Sequence, residues 1–168
     1  MHVLVATDAD WVLADVRAAL EEPGTTFVVC RNGRAVTAAV KDRTPDLAIL
    51  DLQVGSMGGM AITMGLRLDE SSGLLPHVPV LMLLDRRADL FLAQRSGAEG
   101  WLIKPLDALR LRRAVRAITG GEPYTEGLPL EPLPNAALVD PSATSSAASI
   151  ATEGQPEESP SGEPAATG

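Results

Sequence analysis

The sequence predicts an α/β fold, a doubly wound five-stranded parallel sheet with five helices, followed by a disordered tail. Two observations predict the sheet and a third the tail. Up to residue 120, short runs that are apolar throughout alternate five times with longer amphipathic stretches. The runs lack the polar alternation of half-solvated strands, which is the pattern of strands covered on both faces. At Gly120-Gly121 the composition then changes abruptly.

In chain order, strands are expected at 3–6, 27–30, 47–50, 80–84 and 101–103, and helices at 11–21, 34–43, 59–68, 86–95 and 107–118. In the first helix Val12, Val16, Ala19 and Leu20 recur at helical spacing, and Asp10 stands where it can cap the N-terminus. The fifth sets Leu109, Val115 and Ile118 against Arg110, Arg112, Arg113 and Arg116. That arginine group reads as a solvated face, or as a surface for acidic partners, the chain's own tail included. Pro23-Gly24 and Gly97-Ala98 break the chain where a helix hands over to a strand. Successive strand–helix units imply right-handed crossovers within one sheet.

The formal charge of −8 divides unevenly. Residues 1–120 hold all 14 basic and 14 of the 22 acidic residues, whereas 121–168 hold eight acids and no base. A balanced front part argues against a broad nucleic-acid surface, which needs clustered positive charge. Eight of the 13 prolines also lie beyond residue 120, with a Ser/Thr/Ala-rich stretch at 142–152. Such a segment buries too little apolar surface to offset its ordering entropy. Residues 121–168 are therefore expected to be a disordered acidic tail, either purely solvating or with a short docking element around 128–139.

The single cysteine, Cys30, admits no intramolecular disulfide, which fits a reducing compartment. It reads as a small buried hydrophobe or as a reactive thiol. The apolar runs are too short to span a bilayer, and Met1-His2-Val3 lacks the features of a signal peptide. A soluble, cytoplasmic protein is expected.

In an open α/β sheet, ligands bind beyond the C-terminal ends of the strands. The first strand runs into Thr7-Asp8, the third into Asp51, the fourth into Leu84-Asp85 and the fifth into Lys104-Pro105. Asp8, Asp51 and Lys104 therefore converge on one edge. Paired carboxylates suit a hard cation such as Mg²⁺, and a lysine opposite them suits a phosphoryl oxygen. No glycine-rich phosphate loop follows the first strand, where Thr7-Asp8-Ala9-Asp10 places carboxylates instead. A nucleotide- or flavin-binding enzyme is thereby disfavoured.

Several stretches of residues 2–119 carry a resemblance. They are Val3-Leu4-Val5 leading to Asp8, Leu47-Ala48-Ile49-Leu50-Asp51-Leu52 and Met57-Gly58-Gly59-Met60. Val78-Pro79-Val80-Leu81-Met82-Leu83 and Gly97-Ala98-Glu99-Gly100-Trp101-Leu102-Ile103-Lys104-Pro105 complete the set. Together they resemble the receiver domain of two-component response regulators. The resemblance implies a receiver over 1–120 with the flavodoxin-like strand order 2-1-3-4-5. It implies that Asp51 accepts a phosphoryl group from a phosphohistidine on a sensor histidine kinase or phosphotransfer protein. Asp8, Asp51 and the backbone carbonyl of Gln53 would be Mg²⁺ ligands, Lys104 would pair with the phosphoryl group, and Lys104-Pro105 would be cis.

Against that pattern stand four departures. The family usually has two adjacent acids after the first strand, and here the first is Thr7, which removes a negative charge and weakens Mg²⁺ binding. Leu84 replaces the usual Thr or Ser and cannot hydrogen-bond a phosphoryl oxygen. Trp101 replaces the usual Tyr or Phe of the switch, and above Leu84 the indole has no obvious space to fill. Gly55 replaces a common proline. Acquisition of the phosphoryl group thus keeps its residues, whereas the usual read-out at Leu84 and Trp101 is missing.

The function so implied is that of an atypical single-domain response regulator, a signalling module and not an enzyme, acting on a downstream protein target. The alternative is a pseudo-receiver, an interaction module that does not use phosphorylation. No output domain is expected after residue 120, and no nucleic acid or membrane partner.

Overall fold

The computed structural model describes residues 1–126; of the tail expected to be disordered from 121, residues 121–126 are instead ordered against the sheet, and the rest of it, with the docking element at 128–139, lies outside the described residues. Strand β1 (His2–Ala6) leads to α1 (Asp10–Leu20), β2 (Thr26–Cys30) to α2 (Arg34–Asp42), and β3 (Leu47–Asp51) to α3 (Gly59–Ser71). Strand β4 (Val80–Leu84) passes through a 3₁₀ turn at Arg87–Asp89 into α4 (Leu90–Ser96), and β5 (Gly100–Ile103) leads to α5 (Ala108–Thr119). A two-residue strand, β6 (Tyr124–Thr125), follows. All neighbours pair in parallel in the order β2-β1-β3-β4-β5-β6.

The doubly wound sheet and its first five strands lie in the order the resemblance implies. The sixth strand was not expected. Residues 122–126 carry too few apolar side chains to signal a strand, and what holds them is hydrogen bonding to β5. Tyr124 N donates to the Glu99 carbonyl at 3.0 Å. Gly100 makes this approach possible, because a Cβ there would sit 2.5 Å from the Tyr124 carbonyl oxygen.

Successive residues of a strand point to opposite faces, so one apolar run feeds two cores. Val3, Val5, Leu47, Ile49, Leu81, Leu83 and Leu102 pack against Val12 and Val16 of α1 and Leu111 and Ile118 of α5. Leu4, Ala6, Ala48, Leu50 and Val80 face Val36 and Val40 of α2 and Ile62 and Leu66 of α3. A third cluster, Leu52, Met82, Leu84, Leu90, Ala93 and Trp101, fills the space under α4. This two-sided burial explains why the strands read as unbroken apolar runs.

Two local expectations need correction. Asp10 does not cap α1: the helix begins at Asp10 itself, Ala9 is the cap residue, and no side chain caps it. Asp10 instead pairs with Arg31 across the surface at 2.5 Å. The fourth helix starts later than expected, at Leu90, because the segment after β4 first makes the 3₁₀ turn. Among the described residues no helix is long and apolar enough to cross a membrane.

Candidate functional site at the strand ends

Asp51 is the last residue of β3 and is 2% exposed. Both of its carboxylate oxygens are occupied. Oδ1 accepts from Lys104 Nζ at 2.7 Å and from the backbone N–H of Gln53 at 3.1 Å. Oδ2 accepts from the Thr7 hydroxyl at 3.0 Å. A buried carboxylate persists only when paired and hydrogen-bonded, and these three donors meet that requirement. Removing the lysine would leave the charge uncompensated, at a cost of about 3–5 kcal/mol.

Lys104 reaches Asp51 from the end of β5, its side chain 8% exposed. The peptide bond to Pro105 is cis, as the resemblance implies. Its ammonium also donates to Asp85 Oδ1 at 3.0 Å and lies 5.6 Å from the centre of the half-exposed Trp11 ring. Two carboxylates and an aromatic face therefore surround one cation.

The loop after Asp51 is drawn tightly inward. A Cβ on Gly59 would stand 2.7 Å from the Asp51 carbonyl oxygen, so only glycine lets α3 begin there. Asp8 is exposed at the end of β1, and its Oδ2 accepts from the Gly55 N–H at 3.2 Å. A proline at position 55 would have no N–H to give, so the departure at Gly55 supplies a contact to Asp8.

Of the residues singled out from the sequence, the structure thus joins Asp51, Lys104 and the Gln53 backbone directly. Asp8 is tied to the same loop through Gly55. Leu84, at the end of β4 beside β3, and Trp101 make no hydrogen bond to them and pack together in the apolar cluster under α4. Trp101 does find space: it is 3% exposed, and its Nε1 donates to the Glu126 carbonyl at 3.0 Å. The expectation that the indole has nowhere to go failed because it ignored residues 122–126. Glu126 also accepts from the Ile103 N–H at 3.1 Å and pairs with Arg110. One arginine of the α5 group thus meets an acid that follows the helix, while Arg112 donates to the Ala19 carbonyl of α1 at 2.6 Å.

Sequence reasoning missed three contacts here. Thr7 was read only as a lost charge, yet it is fully buried and donates to Asp51. Asp85 was visible at a strand end but was not set among the converging groups. Glu126 carried no signal at all. Cys30 is buried, and burial pushes its thiol pKa up, which favours the inert reading over the reactive one.

This geometry can be set beside known proteins. Residues 3–116 match the response regulator receiver domain family. The transcriptional regulatory protein CseB of Streptomyces avermitilis is 32% identical over 119 residues, covering 70% of this chain and 48% of that protein. The chain thus spans about half the length of that relative. Protein PilH of Pseudomonas aeruginosa is 25% identical over 120 residues, covering 71% of this chain and 98% of PilH. Among solved structures, the receiver domain of sensor histidine kinase PA1611 from Pseudomonas aeruginosa, described with a magnesium ion coordinated in its active site cleft, superposes with a TM-score of 0.62. It is 19% identical, with 71% of this chain and 97% of that chain covered. The fold, the order of its strands and the matched span together place this chain in the response-regulator receiver family of two-component systems.

Proposed function

We propose that the chain is a phosphoryl-accepting signalling module in which Asp51 is the acceptor. The observation that carries this reading is the buried Asp51 carboxylate with a lysine ammonium 2.7 Å from one oxygen. A carboxylate attacks phosphorus poorly unless cations screen the approach of negative charge. Lys104 supplies one such cation. Hard oxygen donors from Asp8, Asp51 and the Gln53 backbone fit Mg²⁺, which takes one or two carboxylates and keeps several waters. When bound, the ion would neutralise further charge on the phosphoryl oxygens. Among the described residues no three His, Cys, Asp or Glu side chains form a metal-holding group by themselves. With Thr7 in place of an acid, Mg²⁺ binding is weaker than two adjacent acids would give.

In the transfer, an Asp51 oxygen forms a bond to phosphorus as the bond from phosphorus to the donor imidazole nitrogen breaks. The electron pair leaves with the imidazole, which is then protonated. Lys104 orients the acceptor, and the Thr7 hydroxyl and Gln53 N–H hold the carboxylate plane. The donor is a sensor histidine kinase or phosphotransfer protein. The output is binding to a downstream protein in the cytoplasm, with no enzymatic turnover and no contact to nucleic acid or membrane. The name of CseB records transcriptional regulation by that protein.

The test is intact mass after incubation with acetyl phosphate and Mg²⁺. One added phosphoryl group is expected, and none on Asp51→Asn. An unchanged wild-type mass would leave an interaction module that does not use phosphorylation.

A further inference from the structure

We infer that Asp85 is a built-in competitor for Lys104, an internal anion that contends with a bound phosphoryl group for the same ammonium. The inference rests on Asp51 being the phosphoryl acceptor and adds the residue that sets how readily the site takes an anion.

Three observations place Asp85 in this role. First, its carboxylate lies 3.0 Å from Lys104 Nζ, nearly as close as Asp51 at 2.7 Å. Second, the remaining side of the ammonium is covered, with the Trp11 ring centre at 5.6 Å and the lysine side chain only 8% exposed. An ammonium has three donors and two of them already go to carboxylates, so a phosphoryl oxygen has to share Lys104 with two anions. Third, the partners differ in how firmly they are held. Asp51 is 2% exposed and is also fixed by Thr7 and Gln53, whereas the Asp85 side chain is 39% exposed. Asp85 is the one free to leave. The neighbouring Arg86 does not neutralise it, because its guanidinium pairs with Asp89 at 3.1 Å.

The charge sum gives the competitor two opposite effects. Thr7 takes one negative charge out of the site beside Asp8, and Asp85 puts one back on the far side of Lys104. There it draws a divalent cation toward the site and repels a phosphoryl anion. A unit charge several ångströms away, at an effective dielectric between that of protein and water, changes affinity about tenfold.

The variant is Asp85→Asn, which keeps the shape and removes the charge, with Asp85→Ala as a second. Binding of beryllofluoride, a phosphoryl mimic, is followed by ¹⁹F NMR in saturating Mg²⁺, and Mg²⁺ alone by calorimetry. Beryllofluoride is expected to bind both variants about tenfold more tightly, and Mg²⁺ a few-fold more weakly. Both changes should shrink at high salt. A residue that merely propped Lys104 in place would, once changed, weaken beryllofluoride binding instead. Equal or weaker beryllofluoride binding by the variants, in a protein whose wild type binds it, overturns the role of Asp85 alone. No beryllofluoride binding by any form, with no phosphoryl group gained on Asp51, overturns the acceptor reading and this inference together.

Discussion

Leu84 ends β4 where a hydroxyl would have to stand to touch a phosphoryl group, and it is fully buried against Leu90, Ala93 and Trp101. Exchanging it for Thr trades hydrocarbon for a hydroxyl without an evident partner, so Leu84→Thr should lower stability by about 1–2 kcal/mol in chemical denaturation. The same change restores a hydrogen-bonding group beside Asp51. Trp101 emission should then respond to beryllofluoride in the variant and hardly at all in the wild type. Trp11 lies over Lys104 and would respond for its own reasons, so the comparison belongs in a Trp11→Phe background. A large wild-type response in that background would refute the idea. At this scale the site was half legible. Asp8, Asp51 and Lys104 announce themselves because each follows an apolar run. Thr7 and Asp85 do not, because what they contribute is a donor and a competitor, and neither role shows in a residue type until the distances are known.

Helices and strands were legible to within a few residues, since two-sided burial writes itself as unbroken apolar runs. The element that escaped was β6. Its sequence, Tyr124-Thr125, has no periodicity, and what holds it is pairing with β5, the Arg110–Glu126 pair and the packing of Tyr124 on the core. A chain ending at Gly120 loses the Trp101 and Ile103 hydrogen bonds and the Arg110–Glu126 pair. The hydrogen bonds contribute about 1 kcal/mol each and the half-exposed pair less. The thermal midpoint of this truncation should therefore fall by about 4–8 °C. A midpoint within a degree of the full chain would mean that β6 adds no stability. Glu126→Gln, which keeps the backbone acceptor for Trp101, should recover most of the loss.

For the whole molecule, acid is a specific stress on β1. His2 is 6% exposed, its Nδ1 bonded to Thr26 Oγ1 at 2.9 Å and its Nε2 buried without a partner. Burial above all, then the nearby Arg43 charge, holds its pKa below the ordinary 6.5, with Asp46 opposing. The unfolded chain therefore takes up the proton first. The stabilisation is fully present above pH 6.5 and is lost as pH falls from there through the lowered folded-state value. His2→Gln cannot titrate, so the gap between its midpoint and the wild type's should narrow between about pH 7.5 and pH 5. A gap that stays constant would show that His2 is not the group involved. The sheet also bears on how copies of the chain meet one another. An open edge is a template for another chain, and nature blunts such edges with very short strands, prolines and charges. Here Tyr124 and the Glu126 carboxylate satisfy the Glu99 carbonyl and the Ile103 N–H, with Pro123 just before and only two strand residues presented outward. Stripped of that cover, β5 would offer Trp101-Leu102-Ile103 to any neighbour, and concentration as well as temperature would then limit how long the protein stays in solution.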